Sequence, residues 1–260
     1  MIQTISLVNG RGKNGRTESF GRVDMQMGQV ISIVGPTGSG KTTLINDIEL
    51  FADGDTPSGR RVLINGAPPP ADFRYNPARN PIALITQHTT FLSDLPVREF
   101  LLTHSRVRTG GGEAPQLVAE AIAFANQLTG EPIELDNRMT ELSGGQTRAL
   151  LIADATVICC TPVVLLDEVE NAGIHRTRAV ELLRQHRKIF IFVTHDPRIA
   201  LLSDFRLVMQ GGCVTQVLHT SHEEREVSIH VRRLDDTLST LRELLRQGQR
   251  LTSAALEAAV

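Results

Sequence analysis

Runs of aliphatic residues with almost no polar position recur at Val30–Val34, Ile82–Ile85, Val163–Leu166 and Ile189–Val193. Such runs form strands buried on both faces of a sheet. The first residues read differently. Thr4–Val8 alternates, a Gly/Asn/Arg turn follows at 9–16, Phe20–Met27 leads into a turn at Gly28, and residues 57–66 hold a further strand between turns. This predicts a β-rich N-terminal part. Thr42–Ile48 can run as a helix, and from Val97 to about Thr140 the pattern is helical, broken by Gly110–Gly112. Pro68–Pro70 and Asn76-Pro77 mark loops before the strand at Ile82. Beyond Leu218, the residues Val231, Leu234, Leu238, Leu241, Leu244 and Leu245 recur at three- and four-residue steps. They predict an amphipathic helix over 224–248, either packed on the domain or open for docking. The Ala-rich stretch Leu251–Val260 reads as helical or frayed.

The strand at Val30–Val34 runs into Gly35-Pro36-Thr37-Gly38-Ser39-Gly40-Lys41-Thr42, followed by Thr43 and the helical stretch. G-x-x-x-x-G-K-[ST] between a strand and a helix is a phosphate-binding loop. Its glycines let backbone amides turn inward, and the positive end of the following helix faces the same concavity. Lys41 would reach the β/γ-phosphates as a point charge, and the Thr42 hydroxyl would complete the coordination of a bridging Mg²⁺. Asp167 ends the strand Val163–Asp167 and Glu168 follows it. The pleat turns these carboxylates to opposite sides, one toward a metal and the other toward an attacking water. Ser143-Gly144-Gly145-Gln146, preceding the helical run Arg148–Val157, makes a second anion-binding helix start.

The order of phosphate loop, Gln87 after a strand, Leu142-Ser-Gly-Gly-Gln146, the Asp167-Glu168 strand and His195 after Phe192-Val-Thr resembles the ATP-binding cassette (ABC) ATPase family over roughly residues 1–218. The resemblance implies an α/β fold with an ABC-type phosphate-loop core, an N-terminal antiparallel β subdomain and a helical subdomain at about 97–150, with 219–260 as a helical extension. It implies ATP and Mg²⁺ as cofactors and ATP hydrolysis as the activity. Glu168 and His195 would act on the attacking water and the γ-phosphate, and Gln87 would sense that phosphate and the metal. Residues 35–43 would hold one nucleotide, and Ser143, Gly144, Gly145 and Gln146 would bind the γ-phosphate of ATP held by an opposite subunit. A homodimer or paired ABC subunit around two ATP is therefore expected.

The chain has 260 residues, 41% of them apolar, enough for one sizeable domain core. A net charge of −2 argues against nucleic acid or anionic membrane as a bulk partner. The 27 basic residues include only three lysines, Lys13, Lys41 and Lys188, which makes Lys41 conspicuous. No apolar run approaches the ~18 residues that span a bilayer, so a cytoplasmic chain is expected, peripheral at the inner face of the membrane if transmembrane subunits dock near Gln87–Phe100. Cys159, Cys160 and Cys213 have no metal-ligand spacing along the chain and are expected to be buried thiols.

Departures from the family pattern bear on what hydrolysis drives. Val169–His175 replaces the usual loop after the catalytic Glu, so Ile174 or His175 stands where a subunit-bridging Asp is expected. Residues 9–12 lack an adenine-stacking aromatic, for which Arg11 or Arg16 could substitute. Ala149 and Asp154 stand where arginines are common. Two functional classes follow: the motor of a membrane transporter, or a soluble ABC ATPase that remodels a protein or metalloenzyme complex.

Overall fold

The computed structural model describes residues 2–76, 79–109, 114–167, 176–253 and 255–256. Two sheets organise it. The smaller is antiparallel and orders β1 (Thr4–Val8), β2 (Arg22–Gln26) and β4 (Arg61–Ile64) as β2-β1-β4. The larger orders its strands β5-β6-β7-β3-β8-β9, with β3 at Val30–Val34, β5 at Ile82–Ile85, β6 at Val163–Asp167, β7 at Ile189–Val193, β8 at Phe205–Gln210 and β9 at Cys213–His219. All its pairings are parallel except the β8–β9 hairpin. The near-continuous apolar runs of β3, β6 and β7 match these places, and β2 alternates exposed and buried positions; β1, which alternates in sequence, is the central strand of its sheet and buries Ile5, Ser6 and Leu7 alike. β6 and β7 lie inside the sheet with both faces covered, and Val163–Leu166 and all of β7 are buried.

Parallel register sets the carboxyl ends of the strands level with one another. Ile33 pairs with Val193, and Val193 with Asp167. Gly35 and His195 each follow their paired residue by two positions, so the strand ends deliver loop, carboxylate and histidine to one edge of the sheet. That edge is where ligands sit in open α/β sheets. Helix α1 (Lys41–Glu49) leaves the loop and buries Leu44, Ile45 and Ile48 beneath the sheet. After the short α2 (Ala71–Tyr75), the helical insert comprises α3 (Val97–Thr109), α4 (Ala114–Leu128) and α5 (Gly144–Ala153). The expected break at Gly110–Gly112 lies outside the described residues. A π-helical turn, Asp154–Ile158, prolongs α5. Helices α6 (Arg176–Gln185) and α7 (Pro197–Leu202) flank β7.

Two expectations change. Of the cysteines only Cys213 is buried; Cys159 is half-buried and Cys160 exposed. The apolar run ends with the π turn, and Cys160 takes a left-handed backbone conformation (φ 49°) that carries the chain out toward β6. The C-terminal helix α8 spans His222–Arg246, capped reciprocally by Ser221 and Glu224. It lies along α7 and buries none of its residues. Arg206–Glu224, Arg198–Asp235 and Arg232–Glu181 ion pairs hold it, and Leu234, Leu238 and Leu245 stay more than half exposed.

A buried charge cluster joins the two sheets behind the phosphate loop. The Arg60 guanidinium, fully buried, donates to Glu18 Oε1 at 2.6 Å and to Asp47 Oδ2 at 2.9 Å. Glu18 also accepts the backbone amides of Gly10 (2.8 Å) and Val214 (2.6 Å), and Asp47 accepts the Ser58 hydroxyl (2.8 Å). Burial opposes the Arg60 charge, but the bonds and charges of Glu18 and Asp47 outweigh it and raise its pKa above the ordinary value. Arg60→Ala would leave two buried carboxylates without their cation. It should cost about 3–5 kcal/mol and lower the melting temperature by on the order of 10 °C in a thermal denaturation experiment. A shift within the range of ordinary surface substitutions would contradict this role for the cluster.

Candidate functional site

The phosphate loop is shaped by close backbone approach. Gly40, at φ 100°, lies so near the β8–β9 turn that an added Cβ would sit 2.9 Å from Gly212 Cα. The turn itself, Gly211-Gly212, has positive φ at both residues (60° and 85°), as a two-residue hairpin of matching twist demands. It clasps the loop: the Gly212 amide donates to the Ser39 carbonyl at 2.8 Å, and the Gly212 carbonyl accepts from Arg60 at 2.7 Å. The buried charge cluster thereby fixes the back of the loop.

In front of the loop lies a cavity of about 340 Å³ lined by Thr37, Gly38, Gly40, Lys41, Thr42, Thr43, Gln87 and Asp167, with Lys13, Thr86, His88 and Val193 completing it. The Lys41 ammonium is turned into the loop, donating to the carbonyls of Gly35 (2.9 Å) and Pro36 (3.2 Å). Thr42 hydroxyl, Gln87 amide and Asp167 carboxylate supply hard oxygen donors to one cavity, a set that suits Mg²⁺. Ser39 lies behind the loop, buried, and its carbonyl holds the β8–β9 turn. His195 does not line this cavity; it lines a second one of about 270 Å³ whose walls include Gly35, Pro36, Thr194 and Asp196. Glu168 and the altered segment with Ile174 and His175 lie outside the described residues.

The second helix start stands apart from both cavities. Ser143 is the N-cap of α5, and its hydroxyl accepts the Gln146 amide at 3.3 Å while Gln146 Oε1 accepts the Ser143 amide at 2.9 Å. Gln146 Nε2 donates onward to the Pro132 carbonyl at 3.0 Å. The Gln146 side chain thus builds the turn, and the exposed Ser143-Gly144 edge is what α5 presents to solvent. The first amides of a helix have no partner inside it and are aimed outward.

Two residues enter the site that no motif indicated. Lys13 lines the main cavity and donates to the Gly38 carbonyl at 3.1 Å, a second cation beside the loop, immediately after the segment that lacks an aromatic. Its only signal was the scarcity of lysine. Arg148, one turn into α5, donates to the Gln87 carbonyl at 2.5 Å and to the Gly144 carbonyl at 2.9 Å. One guanidinium therefore joins the segment that lines the nucleotide cavity to the start of α5. Arg11 and Arg16 are exposed and line neither cavity.

Comparison with known proteins identifies the family of the chain. The sequence model of the ABC transporter family matches residues 22–171. The chain is 46% identical to an uncharacterised ABC transporter ATP-binding protein of Methanocaldococcus jannaschii, over 96% of this chain and 95% of that protein. It is 31% identical to a lipoprotein-releasing system ATP-binding protein of Chlorobium luteolum, over 71% of this chain and 82% of the relative. Among solved structures it is similar to cbiO1 from Clostridium perfringens, part of an ABC transporter complex, at 21% identity and a TM-score of 0.65, covering 93% of this chain and 97% of that one. It is also similar to a dimeric ATP-binding cassette in a post-hydrolysis state with ADP and phosphate, at 22% identity and a TM-score of 0.63, covering 84% and 99%. The phosphate loop, the strand-end carboxylate and the separate capped helix start therefore stand in a chain that belongs to the ABC transporter ATP-binding family.

Proposed function

We propose that this chain is the ATP-hydrolysing subunit of a membrane transporter, working as a dimer that closes around two ATP. The observation that carries the proposal is the separation, within one chain, of two backbone elements whose free amides suit an anion. The loop cavity around Lys41 is one, and the exposed Ser143-Gly144 helix start, outside that cavity, is the other. A helix start of this kind stabilises negative charge on an oxyanion delivered to it. In a head-to-tail pair each chain's Ser143, Gly144 and Gly145 would complete the γ-phosphate site of its partner.

Within each site the roles follow from donor chemistry. Residues 35–43 would wrap the phosphates, Lys41 moving from the loop carbonyls to the β/γ-oxygens. Thr42, Asp167 and Gln87 would hold Mg²⁺, which neutralises charge developing on the transferred phosphoryl group. Glu168 would orient and deprotonate the water, and His195 would contact the γ-phosphate from the far side of the loop. Lys13 adds positive charge at the cavity rim. In this reading residues 1–218 are the ATPase domain, with its helical subdomain at about 97–150, and 219–260 an extension.

The link to transport runs through the segment after Gln87. Phe91 packs edge-on against Phe100 with ring centroids 5.0 Å apart, and Asp94 is held by Arg138 and Thr140. This rigid base presents Leu92, fully exposed, and Leu95, 43% exposed. They offer an apolar contact for a separate transmembrane subunit at the cytoplasmic face. Arg148 would transmit the state of α5 to this segment through the Gln87 carbonyl. The names of the relatives support the same reading.

Ser143→Arg would obstruct the composite site while leaving the loop intact. It should reduce turnover by roughly 100-fold in a steady-state phosphate-release assay while single-site nucleotide binding persists; a fully active variant would refute the shared site. Tagged Glu168→Gln protein isolated from native membranes with Mg-ATP should carry a multi-spanning membrane protein. Recovery solely with soluble partners would contradict the transport role.

A further inference from the structure

The helical insert holds a cluster of three potential metal ligands of three different kinds, away from the nucleotide cavity. His104 comes from α3, Asp154 opens the π turn after α5, and Cys159 closes it. His104 Nδ1 lies 2.7 Å from Asp154 Oδ1, His104 Nε2 lies 3.8 Å from Cys159 Sγ, and Cys159 Sγ lies 3.6 Å from Asp154 Oδ2. One donor atom from each residue can be chosen so that all lie within 4.8 Å of one another.

The local backbone explains why the three meet. Residues five apart in a regular α-helix diverge by about 140° around its axis. Here the Cys159 amide bonds to the Asp154 carbonyl at 2.8 Å, an i→i+5 closure, and this wider turn stacks the two side chains on one side of the helix. That side faces α3, where His104 stands next to the Phe100 ring.

We propose that His104, Asp154 and Cys159 form a binding site for a Zn²⁺-type divalent cation that clips α3 to the π turn following α5. The donor set carries the choice of ion. Thiolate and imidazole disfavour Mg²⁺ and Ca²⁺, whereas one sulfur, one nitrogen and one oxygen together suit Zn²⁺. Ligand atoms at ~2.0–2.3 Å from a tetrahedral ion lie ~3.4–3.6 Å from each other. The Sγ–Nε2 and Sγ–Oδ2 separations are already near that value, and the remaining pair of donor atoms, within 4.8 Å, would be drawn in by rotation of the His104 and Asp154 side chains. With 27% of the His104 side chain and 13% of that of Asp154 accessible, an ion can enter and a water can take the fourth position. The residues of α5 connect this clip directly to Arg148 and Ser143, so the ion would stiffen the element that presents the second phosphate-binding helix start.

The full chain, stripped with a chelator and kept reduced, would be titrated with Co²⁺ as a spectroscopic probe and then challenged with Zn²⁺. The wild-type chain should bind one ion with thiolate-to-cobalt charge-transfer absorption, reversed by Zn²⁺, and the Cys160→Ser and Cys213→Ser variants should behave alike. Cys159→Ser and His104→Gln should lose the charge-transfer band or weaken binding by roughly tenfold or more. Melting curves in chelator, matched to wild type, would show that these variants are folded, and Zn²⁺ should raise the melting temperature of the wild-type chain but not of Cys159→Ser. Absence of saturable binding would mean that the three groups form only a hydrogen-bonded set, and persistence of the band in Cys159→Ser would place the ion elsewhere. Either result overturns the proposal.

Discussion

The Arg60 guanidinium, buried between Glu18 and Asp47, brings four separate stretches of chain to one point, and the position of the phosphate loop follows from it. Glu18 belongs to the N-terminal loop, Asp47 to α1, Arg60 to the approach to β4, and Gly212, whose carbonyl Arg60 also binds, to the β8–β9 turn. Two carboxylates against one cation would leave uncompensated charge in the interior, which is costly. The amides of Gly10 and Val214 and the Ser58 hydroxyl offset it. Because Gly212 in turn holds the Ser39 carbonyl, the loop cannot relax without disturbing a fully bonded ionic network. A loop that must aim amides and one lysine at a polyphosphate gains from such a rigid back wall, since positioning is most of what phosphoryl transfer asks of a protein.

The front of the site is connected differently. Gln87 is joined to α5 through Arg148, whose guanidinium bonds two backbone carbonyls, and the segment after it meets the insert through the Phe91–Phe100 contact and the bonds of Asp94 to Arg138 and Thr140. A back wall of fully buried charges and a front joined by solvent-exposed polar bonds and one aromatic contact give the two halves of the site unequal stiffness. The insert, with α3, α4 and α5 packed on one another, can then act as a unit relative to the loop. A clip between α3 and the π turn would strengthen that unit without touching the nucleotide cavity.

Much of this was legible in the residues. The unbroken apolar runs at Val163–Leu166 and Ile189–Val193 predict buried strands because interior strands of a parallel sheet have no face for polar side chains. The phosphate loop and the Ser143–Gln146 cap are local in sequence, and their geometry is encoded within a few residues. The Arg60 cluster was not legible: its bonds join residues 42 and 152 positions apart, and each member alone reads as an ordinary surface charge. The same holds for Arg148 with Gln87 and for His104 with Cys159, which meet only when elements distant in sequence pack together. Cys159 and Cys160, unlike Cys213, depart from the expected burial because hydrophobic context along the chain says nothing of a π turn, whose one-residue excess decides which side of the helix Cys159 occupies.

The claim at the centre is that two copies of this chain complete each other's nucleotide sites. Sedimentation of the Glu168→Gln chain with and without Mg-ATP, with bound nucleotide quantified, tests it most directly. The account predicts a nucleotide-dependent dimer carrying two ATP, reverting to monomer when nucleotide is removed. A monomer saturated with one ATP at every protein concentration would contradict it.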